Sequence, residues 1–245
     1  SSPILHNRVG ALIEAQSDST LFESGDGTTK TFSNDGVVRR TTGTNTTTWN
    51  GLFNNTGSLI GETGTVALNG GGASAGLFTN LAGATIKFSG GTHTLDTGAS
   101  FSGAGTNLID GGTVNVRANA TVPAVGTFAL ATGTLGGTGT LRVTAGGQFL
   151  WTGGTMDGTT GRTVIASGAS LLASTIADKD LRRILADVEL VEIEIDDELL
   201  VLQYPHLHQL PAVAVLRCTS AILATSILSL LVTSGNDGFI FLNGL

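Results

Sequence analysis

The sequence predicts a mainly β protein: a single-stranded parallel β-helix (a β-solenoid) over residues 1–174, then a small α/β tail over 175–245. Three observations carry this. Glycine recurs every seven residues through the middle of the chain. The residues between glycines are strand formers in alternation. Charge is sparse from residue 41 to residue 175 and then arrives abruptly.

Counting in sevens from Gly91 lands on Gly98, Gly105, Gly112, Asn119, Gly126, Gly133, Thr140, Gly147, Gly154, Gly161 and Gly168. Ten of these twelve positions are glycine, where chance at this glycine content gives about two. One exception is Asn119, a residue type that tolerates left-handed backbone. The other is Thr140, which follows Gly139, and the slip predicts a local bulge there. A seven-residue period also marks coiled coils, but those repeat apolar residues in helix-forming sequence. Here glycine and threonine repeat, and both are poor in helix interiors. Thr113-Val114-Asn115-Val116-Arg117 and Thr140-Leu141-Arg142-Val143-Thr144 alternate as short strands, with glycine supplying the bend at each end. Such a unit cannot bury its apolar face alone, whereas stacked copies share a continuous core. Three sides per turn give rungs of about 21 residues, with Val, Leu, Ile and Phe inside and Thr and Ser in ladders outside. The rival is an antiparallel β-sandwich, whose turns recur more loosely.

Composition narrows the function classes. Hydrophobic residues make up 40% of 245, which is not a disordered composition despite 36 glycines. A net charge of −7 argues against nucleic acid as partner, since a phosphate backbone needs a concentrated basic face. Cys218 is the single cysteine, so no intrachain disulfide and no cysteine-based zinc set is available. The opening SSPILHNRVG has no charged-then-apolar leader and reads as a processed or excised segment.

Of the 36 glycines, 33 lie at or before residue 175. Residues 41–175 hold eight charged side chains, whereas 178–198 hold twelve, which sets the boundary near Ser174. Residues 1–40 are less regular and read as first rungs or an end-covering cap. In the tail, Leu181, Ile184, Leu185 and Val188 predict a short amphipathic helix over Thr175 to Val188. Val191 to Ile195 alternates as a strand. Leu210 to Val232 is apolar and long enough to span a bilayer. Arg217 within it is costly there, so a buried element is the favoured reading over membrane contact. The abrupt change at Ser174 also admits a junction between unrelated segments.

Candidate chemistry is thin. His206 and His208 form a His-x-His pair able to chelate a metal from a strand, but no further His stands nearby and there is no Cys ligand set, so an exposed turn is favoured. Gly235-Asn236-Asp237-Gly238 resembles part of a calcium-binding nonapeptide repeat, as Gly25-Asp26-Gly27 and Asn34-Asp35-Gly36 do more weakly. Asp26 and Asp35 stand nine apart, but the interval does not continue to Ser17 or Thr44, which favours turn chemistry. Asp187 to Glu198 carries seven acids and no base, the pattern of a solvated strand face. Asp96, Asp110 and Asp157 and the cations Lys87, Arg117 and Arg142 are scattered singly, unlike the paired carboxylates of a glycosidase. Glycine-rich runs such as GTLGGTGT lack the lysine of a phosphate loop. No catalytic, cofactor-binding or metal residue is assigned, and no cofactor is expected.

Gly51–Leu59 (GLFNNTGSL), Thr79–Thr106, Gly111–Val116 (GGTVNV), Gly133–Val143 (GTLGGTGTLRV) and Phe149–Gly161 (FLWTGGTMDGTTG) resemble the repeats of bacterial cell-surface β-solenoid proteins, in the style of autotransporter passengers and filamentous-haemagglutinin-like adhesins. The resemblance covers about residues 40–174. It implies a secreted or surface-attached, non-enzymatic rod, structural or adhesive, whose partner is a cell-surface glycan or another copy of the chain. The alternatives are a carbohydrate-active β-helix enzyme of lyase or hydrolase type, and a self-assembling filament subunit.

Overall fold

Four-residue strands with one residue in and one out are the building unit. Thr31–Asn34, Val37–Arg40, Leu52–Asn55, Thr85–Phe88 and Gln148–Trp151 all bury their second and fourth residues and leave the first and third partly exposed. The structure is a computed structural model that describes residues 2–21, 27–173, 179–186, 191–195 and 214–218. In it every strand pairing is parallel, and the chain winds as a three-sided β-solenoid of about eight turns. The sandwich alternative required antiparallel partners.

Each coil runs through a first, a second and a third face, beginning with Ile4–Asn7, Leu12–Ala15 and Thr20–Leu21. On the third face Thr85 sits beside Thr106 and Thr106 beside Thr127, 21 residues apart each time. The same step joins Thr92, Thr113, Thr134 and Thr155 on the first face. The first coil is longer, since Ile4 pairs with Thr31. Glycines of the seven-residue count stand at or beside the three corners in rotation, so every third one marks the same corner. At Gly133 the backbone is left-handed (φ 83°), and a side chain would meet the carbonyl oxygen of Gly112 in the coil before.

Two strands pass a corner unbroken. Thr106–Val116 and Thr127–Gly136 each run from the third face onto the first, with a register irregularity between Ile109 and Thr113. They fuse the two faces into one 17-stranded sheet, while the second face forms separate five- and four-stranded sheets. The bulge expected at Thr140 is absent: Thr140–Val143 is in regular register with Arg162–Ile165. The irregularity belongs where a strand must bend round a corner.

Aromatic residues fill the axis. Phe32 stacks on Phe53 at 5.5 Å, Trp49 packs against both, and Phe101, Phe128 and Phe149 continue the series in later coils. Burying each such ring contributes on the order of 2 kcal/mol. Beside them runs a buried amide ladder at the first-to-second corner. Asn7 Nδ2 donates to Asn34 Oδ1 at 2.7 Å, and Asn34 Nδ2 to Asn55 Oδ1 at 2.8 Å. Their amides also cap backbone oxygens of the following strands, Val37 O for Asn7 and Ser58 O for Asn34. Buried amides are tolerable because they are paired in this way.

The helix expected over Thr175 to Val188 does not form in its described part: Lys179–Leu181 and Ile184–Ala186 are strands that pair with Gly154–Met156 and Arg162–Val164. Leu181, Arg183 and Leu185 are buried, a period-two pattern imposed by the sheet edge beneath. The composition break at Ser174 is therefore not a break in strand stacking. Val191–Ile195 is a strand as expected, on Leu171–Ala173, and Ala214–Cys218 pairs with it. Apart from those five residues, Leu210 to Val232 lies outside the described residues. Among the described residues no helix is long and apolar enough to cross a membrane.

Candidate functional site

The outward residues of the three faces are the surfaces available to a partner. On the third face the first outward position reads Thr46, Thr65, Thr85, Thr106, Thr127, Gln148, Ser170, each beside the next. The first face carries Thr92, Thr113, Thr134 and Thr155 in the same way. Each threonine of the long runs follows a corner or opens a strand, so the corner geometry sets the column. Stacked strands put these hydroxyls about 4.8 Å apart along the axis. A β-branched residue has restricted χ1 freedom on such a pleated surface, which favours a regular row of donors and acceptors.

Most charged groups on these faces are paired off. Lys87 Nζ lies 2.5 Å from Asp110, which also accepts from Thr132 Oγ1 at 2.9 Å. The Lys87 hydrogen bond is the main cause holding the Asp110 carboxyl below its usual range. Arg39 sits between Glu14 and Glu62, Arg117 faces Asp96 at 3.7 Å, and Arg182 pairs with Asp180 at 2.5 Å. Glu14, Asp18 and Asp35 are likewise shifted down, held chiefly by Arg39, Arg40 and the Thr56 hydroxyl respectively. Asp96 and Asp110 stand at different corners, as their spacing of two sevens predicts.

Among the described residues two charges sit inside. Arg40 is buried, and its guanidinium binds Asp18 at 2.5 Å, Thr47 Oγ1 and the carbonyls of Ser17, Asn45 and Thr63. Arg183 is buried without any carboxylate. It donates to the backbone oxygens of Gly136, Gly137, Gly139 and Arg162 at 2.6–3.0 Å, and desolvation lowers its pKa to about 10. His93 is also internal, edge-on to Phe88 and bonded to Gly90 O at 2.9 Å. These groups close the interior and reach no surface. Nothing in the sequence marks them as buried, because charge ordinarily signals exposure.

Of the weak motifs, Asn34-Asp35-Gly36 is a corner. The Asp35 carboxylate meets His6 Nε2 at 2.5 Å and accepts from Thr56 Oγ1 at 2.6 Å, which ties it to the coils on either side. His206, His208 and Gly235 to Gly238 lie outside the described residues, as do Gly25, Asp26 and most of the acidic run. Among the described residues no three His, Cys, Asp or Glu side chains converge. A groove of about 270 Å³ opens at the third-to-first corner beside Thr28, Lys30, Asn50 and Leu52, and among the described residues no carboxylate lines it. Comparison with known protein families, curated proteins and solved structures finds no match to this chain.

Proposed function

We propose that this chain is an extracellular structural and adhesive segment of a bacterial surface protein, a rigid β-solenoid that presents hydroxyl-bearing faces to a glycan. The observation that supports it is the unbroken column of five threonines from Thr46 to Thr127 on the third face. Evenly spaced hydroxyls complement the repeated hydroxyls of a sugar chain lying along the rod. An enzymatic reading is less favoured. A glycosidase needs one carboxyl with a raised pKa as general acid, whereas the shifted carboxyls described above all move down. The test is a glycan array probed with the purified chain and with a Thr85→Val, Thr106→Val, Thr127→Val variant, which keeps shape and removes hydroxyls. Retention of one glycan class that falls at least tenfold in the variant supports the proposal. Equal retention, or none, refutes it.

A second reading, end-to-end assembly, has its own observation. Ile4, Leu5, Val9 and Leu12 expose 69, 45, 83 and 52% of their surface on the first coil. Among the described residues Ile4–Asn7 pairs on one side only, with Thr31–Asn34, and an open strand edge over an apolar end is a site for further pairing. Sedimentation of the chain against a Leu5→Lys, Leu12→Lys variant tests it: association lost in the variant supports assembly, and a monomer at all concentrations rejects it.

A further inference from the structure

We propose that Arg142 and Arg162, with Thr121 and Thr140, form a binding site for a carboxylated polysaccharide on the second face. The proposal rests on the glycan-binding reading above and names the ligand class for a different face of the same rod.

The placement follows from register. Thr121 lies beside Arg142, and Arg142 beside Val164; Thr140 lies beside Arg162. The two arginines are thus diagonal neighbours in adjacent coils, and strand spacing and rise set their backbones about 8 Å apart. Both are exposed, and neither makes a side-chain hydrogen bond or ion pair. That separates them from Arg39, Lys87, Arg117 and Arg182, each of which has a carboxylate within reach. Arg8 lies in the field of Asp35.

Charge is also segregated along the chain. Residues 111–186 hold six cations (Arg117, Arg142, Arg162, Lys179, Arg182, Arg183) against three acids (Asp157, Asp178, Asp180), although the whole chain is −7. A net-acidic protein that leaves two arginines free on one flat patch has an anion-accepting surface there. The guanidinium fork matches a planar carboxylate with two parallel bonds. Thr121 and Thr140 supply hydroxyl partners for the sugar ring between successive carboxylates. Nucleic acid fits less well, because single strands bind by stacking bases on exposed aromatic rings. The large hydrophobics exposed among the described residues are Ile4, Leu5, Val9, Leu12, Leu81 and Val125, with no aromatic.

The experiment measures binding of the full chain to immobilised polygalacturonate, dextran sulfate, neutral dextran and a single-stranded thymidine oligomer. It compares the unaltered chain with R142Q/R162Q, R142K/R162K and a control, Arg117→Gln. Expected are salt-sensitive binding to polygalacturonate, at least a tenfold loss in R142Q/R162Q, partial loss in R142K/R162K and little change in R117Q. The lysine variant keeps the charge and removes the fork, so it separates carboxylate recognition from mere attraction. Equal or stronger binding to dextran sulfate or the oligomer overturns the proposal as general polyanion affinity. Polygalacturonate binding that survives R142Q/R162Q overturns it also. Retention of neutral glycans alone overturns this inference and leaves the hydroxyl-face reading standing, whereas no glycan retention refutes both.

Discussion

Replacing Asn34 by alanine tests whether the amide ladder holds the early coils together. Asn34 accepts from Asn7 Nδ2 at 2.7 Å and donates to Asn55 Oδ1 at 2.8 Å and to Ser58 O at 3.0 Å. Each net hydrogen bond contributes about 1 kcal/mol, and stranding a buried partner costs about 1–3 kcal/mol more. Asn7 Nδ2 keeps Val37 O, whereas Asn55 Oδ1 is left bare in the interior. With three bonds removed and one buried oxygen stranded, the expected loss is about 4–6 kcal/mol. In a stacked repeat the loss is felt by neighbouring coils and fades with distance. The two tryptophans make this measurable. Trp49 packs on Phe32 and Phe53 in the affected coils, and Trp151 lies far along the axis. Urea unfolding followed by fluorescence in Trp151→Phe and Trp49→Phe backgrounds reports each region separately. A large drop in the Trp49 transition with a smaller one at Trp151 is expected. A loss under about 1 kcal/mol at Trp49 refutes the ladder's role, and equal shifts at both sites refute nearest-neighbour coupling.

Gly83 and Gly133 have almost the same backbone, φ 82° and 83°, but a Cβ at Gly83 meets open space and one at Gly133 meets Gly112 O. Alanine at Gly83 should cost about 1–2 kcal/mol, the left-handed penalty alone, and alanine at Gly133 distinctly more. Equal losses in thermal melts would count against close backbone approach as the reason for glycine there. His93 is 4% exposed and desolvation is the main cause lowering its pKa below 6.5. The unfolded chain then binds its proton first, so this contribution is intact above pH 6.5 and is lost as pH falls towards the depressed folded value. Chemical unfolding between pH 5 and 8 should show that loss flattened in His93→Phe, and an unchanged pH profile would contradict it. Arg183→Ala should release residues 179–186 from the coil below, removing the side-chain donor from four backbone oxygens, of which Gly139 O keeps Arg162 N. Hydrogen exchange at Leu181 and Leu185 reads it, and unaltered protection would show that the guanidinium does not hold them.

Much of the fold was legible because corner glycines and alternating strands are local demands. A chain that must bend within a few residues leaves glycine at a fixed interval, and 21 follows from three sides. What failed is instructive in one place. Leu181, Ile184 and Leu185 suit a helical face, and the competing strand pattern requires Arg183 to point inward. A charged residue ordinarily argues against that. It is permitted here because the carbonyl oxygens of glycines 136, 137 and 139 converge on the guanidinium, which is a tertiary fact. The asparagine ladder was hidden for a related reason, since Asn34 and Asn55 precede corners and look like ordinary turn formers. Of the proposed surface, the threonine columns follow directly from the 21-residue step. The free state of Arg142 and Arg162 does not, because whether a cation is paired depends on the adjacent coils.

The two strands that turn a corner without breaking have a mechanical consequence. Elsewhere each coil meets its neighbours through short ladders interrupted at every corner, so force at either end of the rod would detach one coil at a time. Between Thr106 and Gly136 the ladder runs round the bend, and its hydrogen bonds must yield together. Peeling from either end should stall at this clasp, leaving the middle of the rod as the last part to come apart under load.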